Sequence, residues 1–162
     1  MKKVSVDTHV LIWGVQRSAR EHQKHKVDLA TSLIEKLDKS GAVMMLSSIV
    51  VGEFLNGITT VKQREKVLSL LSDYFQIIDH NARSAQFASK VFQSSRGNGI
   101  HDELKDTPDI ARQKTMVDYH IVGSLLSHDI DVFYCEDKGL RKIANEFLTT
   151  LEMPARQGRL SL

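Results

Sequence analysis

Ala42-Val43-Met44-Met45-Leu46-Ser47-Ser48-Ile49-Val50-Val51-Gly52-Glu53-Phe54-Leu55 is the stretch on which the fold turns. Ala42 to Leu46 reads as a buried strand of the kind parallel sheets use. Ser47 and Ser48 are candidate N-caps for a helix that runs through Glu53 and Leu55 to about Ile58. A buried strand passing at once into a capped helix is half of a crossover unit. Working back from it, Val27 onward places Ala30, Leu33, Ile34 and Leu37 at helical spacing, and Ser40-Gly41 supplies the stop. Before that, Arg17 to Lys26 is basic and histidine-rich, a solvated helix start or loop. Val10 to Val15 reads as the first turns of a helix, and Lys3 to Asp7 as a short strand ending in a polar residue.

Working forward, Gln63 to Leu71 reads as a helix and Tyr74 to Asp79 as a strand. The helix after Asn81 places Ala85, Ala88, Val91 and Phe92 on one face. Ser94 to Pro108, with Gly97, Gly99 and several acids, reads as irregular. A long helix is expected from Ile110 to His128, a strand from Asp131 to Cys135, and a short helix from Leu140. Strands separated by helices predict an α/β fold, a three-layer α/β/α sandwich with a mostly parallel central sheet. Length fits one domain over residues 1–153, followed by a short basic tail over 154–162 that carries Arg156 and Arg159.

Composition narrows the class. The chain has 162 residues, 41% of them hydrophobic, with one cysteine and a formal charge of +2. A disulfide framework and a cysteine-built zinc site are excluded, and a reducing cytoplasm is the expected setting. No run approaches the roughly 18 apolar residues of a membrane span, and no signal-peptide core follows Lys2 and Lys3. The small net charge does not by itself demand an anionic partner.

In open parallel sheets ligands sit beyond the carboxyl ends of the strands. Asp7 closes the first strand and Asp137 lies just past a later one. Glu53 and Asp118 are embedded in otherwise apolar helical stretches, where an acid is costly unless paired or facing a cation. Carboxylates packed together raise one another's pKa unless a hard divalent ion neutralises them, and oxygen-only ligation suits Mg²⁺ or Mn²⁺. Each acid also has a purely structural alternative. Asp7 could cap a helix, Glu53 could point outward, Asp118 could pair with Lys114 one turn earlier, and Asp137 could shape a turn.

Val6-Asp7-Thr8 with Val10-Leu11-Ile12 resembles the opening of PIN-domain nucleases. Ser48 to Leu55, Lys114 to Val122 and Phe133 to Leu140 resemble the family's other three motifs, in the family's order and across nearly the whole chain. The resemblance implies a metal-dependent endoribonuclease for single-stranded RNA, with Mg²⁺ or Mn²⁺ as cofactor. Asp7, Glu53, Asp118 and Asp137 would be the catalytic, metal-binding acids, with Asp7 and Asp118 the nearest ligands and Thr8 fixing a water. The class it resembles most is the toxin of a toxin–antitoxin pair, which implies an antitoxin protein as partner and a homodimer as assembly. Two positions depart from the family pattern, His9 for the usual Asn or Ser and Cys135 for the usual Thr or Ser.

Around these acids, His9 is a candidate phosphate contact and Glu136 a further acid able to compete as ligand. Lys114, with Arg96, Arg112, Lys138 and Arg141, is a candidate contact for RNA, each also readable as solvated surface. The remaining histidines show no His-x-x-x-His zinc spacing, Trp13 reads as packing, and Cys135 as buried and not nucleophilic. Two other classes compete. One is a catalytically impaired PIN-like module that binds RNA or protein. The other is a phosphoryl-accepting receiver domain, which wants paired early acids where this chain has only Asp7.

Overall fold

Parallel strands need crossovers, and here helices supply them. The computed structural model describes residues 1–106 and 112–155, the side chains of residues 112 and 113 excepted. Five strands form one sheet: β1 (Lys3–Val6), β2 (Val43–Ser47), β3 (Gln76–Ile78), β4 (Val132–Tyr134) and β5 (Thr149–Leu151). Their order is β3-β2-β1-β4-β5, and every neighbouring pair is parallel, with Val4 opposite Met44 on one side and Val132 on the other. Val4, Ser5 and Val6 of β1 and Met44 to Ser47 of β2 are all buried, as a strand covered on both faces must be.

The described helices are α1 (Thr8–Gly14), α2 (Lys24–Lys39), α3 (Ser48–Asn56), α4 (Val61–Tyr74), α5 (Ala82–Gly97), α6 (Ile100–Lys105), α7 (Arg112–Ser127) and α8 (Lys138–Ala144). Right-handed crossovers that step from β1 toward β3 put α1 to α4 on one face. The crossovers that step back toward β5 put α5 to α8 on the other. Packing agrees: α1 lies against α2 and α3, while α7 lies against α5 and α8. The chain therefore reverses its direction of travel between β1 and β4. That reversal opens a crevice at the carboxyl ends of those two strands.

Local chemistry sets the element boundaries. Ser47 caps α3 by accepting from the Ile49 N–H, Thr60 caps α4 through Gln63, and Asn81 caps α5 through Ser84. The serine cap is one of the two candidates named from sequence. The stretch from Ser94 is corrected by the structure: α5 continues to Gly97 and a further helix, α6, follows. Gly99, at φ +81°, turns the chain between them, and Ile100 and Leu104, four apart, bury the inner side of α6. Residues 107–111, including Pro108 and the expected start of the long helix, lie outside the described residues, as does the tail from Arg156. The edge strand β5 was not expected. It has three residues, with Thr149 and Leu151 exposed, and so carries no burial signal. No described helix is long and apolar enough to cross a membrane.

The tightest helix contact in the second layer is α5 on α7. A Cβ at Gly123 would stand 2.5 Å from the Ser84 carbonyl oxygen and 2.6 Å from the Ala88 amide nitrogen. Both obstacles are backbone and cannot rotate away. Gly123→Ala is therefore expected to lower stability by about 1–3 kcal/mol in urea denaturation, as overpacking does in a filled core. An unchanged midpoint would show that α5 can slide off α7 freely.

Candidate active site

Asp7 follows β1 directly and caps α1, its Oδ1 accepting from the Val10 N–H at 2.9 Å. Its Oδ2 accepts from two more backbone amides, Glu136 at 2.7 Å and Asp137 at 3.1 Å. A carboxylate offers about four acceptor positions, and backbone amides take three of them, with His9 and Cys135 also drawn to this side chain. The helix-cap reading and the site reading of Asp7 are thus both satisfied by one side chain. Asp137 repeats the device after β4: Oδ1 accepts from the Gly139 and Leu140 N–H groups and caps α8. Its Oδ2 takes the Lys114 ammonium at 2.5 Å.

Glu53 reaches the same place from α3, where its Oε2 accepts the Thr8 hydroxyl at 2.7 Å. Asp118 reaches it from α7 and is 4% exposed. Together Asp7, Thr8, His9, Glu53, Lys114, Asp118, Asp137 and Leu140 line one cavity of about 280 Å³ at the crevice. All four acids expected from sequence are gathered there from four different elements. Leu140 is the lining residue that sequence reasoning did not single out; its place next to the Asp137 cap is the signal that could have found it.

Burial pushes the Asp118 carboxyl up to about 8, and repulsion from Asp137 and Glu53 adds to the shift against the partial relief of Lys114. Burial works against ionised Asp137 as well, but there the Lys114 bond and the Leu140 amide outweigh it and hold the carboxyl below its usual range. Lys114 itself is disfavoured by burial, yet its bond to Asp137 and the charges of Asp137, Asp118 and Glu53 keep its pKa raised. Asp7, with its oxygen 3.7 Å from Nδ1, raises the pKa of His9 against partial burial. The ring of His9 also lies 5.6 Å from that of Trp13, itself buried as packing.

Other residues are placed elsewhere. Glu136 does not line the cavity: its carboxylate accepts Lys26 Nζ at 2.5 Å and the Met153 N–H at 2.7 Å. Arg141 bridges the Cys135 carbonyl and Glu152, and Arg96 lies over Phe92. Lys138 is exposed at the start of α8, and the Arg112 side chain is outside the described residues. The Cys135 thiol is buried, is pushed far up by burial and by Asp7, and donates to the Asp137 carbonyl. It is a packing group, as expected. His120 turns away from Asp118 to meet His80 at 3.2 Å, where burial and the neighbouring ring lower the pKa of His80.

The sequence model of the PIN domain matches residues 4–146. The chain belongs to the PIN-domain family. A comparison with curated protein sequences gives no significant match. Among solved structures, this PIN domain is similar to VapBC2 from Rickettsia felis, determined bound to a promoter DNA fragment. The TM-score is 0.66 at 16% identity, over 94% of this chain and 99% of that one. It is also similar to VapBC-1 from nontypeable Haemophilus influenzae, with TM-score 0.61 and 15% identity over 93% and 98% of the two chains. DNA-bound VapBC from Salmonella typhimurium follows, with TM-score 0.54 and 18% identity over 95% and 100%. At these identities the likeness is one of fold.

The donor set of the PIN cavity fits a hard divalent ion. Four carboxylates and the Thr8 hydroxyl line it, and Asp118 is buried among like charges, which a cation would relieve. The cost of that burial is measurable without metal. The folded-state pKa of Asp118, about 8, lies above its unfolded value. Its contribution is therefore fully present below about pH 4 and is lost as pH rises toward 8. Asp118→Asn is expected to be more stable than the parent chain in chelator, the gain growing by roughly 2–4 kcal/mol between pH 5 and pH 8. Thermal melts across that range check it, and a pH-independent difference would contradict it.

Proposed function

We propose that this PIN domain is a divalent-metal-dependent endoribonuclease acting on single-stranded RNA, and the toxin member of a toxin–antitoxin pair in the cytoplasm. The observation that carries the reading is the meeting of Asp7, Glu53, Asp118 and Asp137 in one cavity at the β1–β4 crevice. The fold shared with VapBC structures supports the pairing with an antitoxin protein. A homodimer is proposed on the family resemblance alone.

Mg²⁺ or Mn²⁺ held there would supply a Lewis acid that activates water and offsets charge on the phosphoryl group. The chain's own residues do the rest. Asp7 is fixed by its three backbone amides, so it faces the cavity without rotating. Asp118 has its acceptor capacity free of any recorded hydrogen bond among the described residues and is the strongest candidate ligand. Glu53, which accepts the Thr8 hydroxyl, would hold a water and take its proton. His9, half exposed and drawn toward protonation by Asp7, would supply a positive charge to a bound phosphate.

Purified protein with labelled single-stranded RNA and Mn²⁺ is expected to give cleavage that chelator abolishes. Asp118→Asn and Glu53→Gln should each lower the rate by about 100-fold or more, as loss of a transition-state electrostatic group does. Cleavage surviving both substitutions would refute the site. Metal binding without cleavage would favour the impaired RNA- or protein-binding module instead, with His9 and Cys135 as its marks.

A further inference from the structure

The spacing of Lys114 and Asp118 on α7 predicts a pair within the helix, but the ammonium crosses the cavity to Asp137 instead. Backbone amides occupy the other Asp137 oxygen, so Oδ2 is the one left for a cation, and Lys114 occupies it. We propose that Lys114 is the resident counter-ion of the acid cavity, which a divalent ion must displace from Asp137, so that this lysine sets the metal affinity of the site. The assignment rests on the reading of the four acids as a metal site.

Three further observations support it. Four acids line one cavity, and the Lys114 ammonium is held on one of them. Lys114 is also free to leave: its side chain is 47% exposed, against 14% for Asp137. Finally, the displaced ammonium stays tethered at the cavity mouth by a flexible four-carbon stem, where it can meet a phosphate oxygen. Mutual repulsion of the acids is thus contained before metal arrives, and the same charge becomes available to an anionic substrate afterwards.

Calorimetric titration of the full chain with Mn²⁺ tests this without relying on activity. Lys114→Met is expected to bind Mn²⁺ about tenfold or more tightly than the parent chain, since a charge-assisted bond no longer has to be broken. The Mn²⁺-induced rise in melting temperature should widen to match. Lys114→Arg keeps the ion pair and should restore affinity to within about threefold of the parent. Lys138→Met removes the same charge from the residue after Asp137, which makes no recorded ion pair with these acids, and should change affinity by less than about threefold. Lys114→Gln is titrated in parallel should the methionine variant fail to fold. Unchanged or weaker binding by Lys114→Met and Lys114→Gln overturns the proposal, as does an equal gain from Lys138→Met. Absence of Mn²⁺ binding in every protein overturns the metal reading of the acids, and this assignment with it.

Discussion

Three backbone amides on one carboxylate hold the working end of this molecule together. Val10 belongs to the first turn of α1, and Glu136 and Asp137 to the turn after β4, so Asp7 ties the ends of β1 and β4 together at the point where the chain reverses direction. The strands alone cannot do this, because their ladder ends at Val6 and Tyr134, with the Asp7 N–H adding one more bond to the Tyr134 carbonyl. Charge-assisted bonds from backbone to a buried carboxylate are among the stronger polar interactions available. They fix an acid that would otherwise be costly to bury. Stability and chemistry draw on the same side chain.

The rest of the cavity follows a different rule. Asp137 is satisfied by amides and Lys114, Glu53 by a hydroxyl, and Asp118 by no hydrogen bond recorded among the described residues. Its upward shift therefore measures what folding concedes to keep a fourth acid in place. A protein selected for stability alone would put an apolar side chain there. The concession is local, since Tyr119, Ile121, Val122 and Leu125 on the same helix are fully buried in the core.

Much of this was legible beforehand, for physical reasons. Buried parallel strands such as Met44 to Leu46 announce themselves as apolar runs, and caps such as Ser47 and Asn81 stand where their side chains must act. Acids at strand ends or inside apolar helices are conspicuous because they break a pattern, so Asp7, Glu53, Asp118 and Asp137 could be picked out. What stayed hidden depends on contacts between distant residues. β5 exists because β4 offers an edge, not because Thr149 to Leu151 insist on it. The α6 helix was masked by the glycines beside it, although Ile100 and Leu104 carried the period. Glu136 looked like a ligand until Lys26, 110 residues away, claimed it. Lys114 looked like the partner of Asp118 because helical spacing is visible and reach across a cavity is not.

The claiming of cations by acids extends beyond the cavity. Lys26 is held by Glu136, Arg141 by Glu152 and the Cys135 carbonyl, and Lys142 by Glu103. The positive charge of these described side chains is thus neutralised from within the fold. A polyanion meeting these paired side chains would release few condensed counter-ions there, because their charge is already claimed. Its grip would then vary shallowly with ionic strength. Discrimination would depend on the shape of the crevice and on the four carboxylates within it, with little help from long-range attraction.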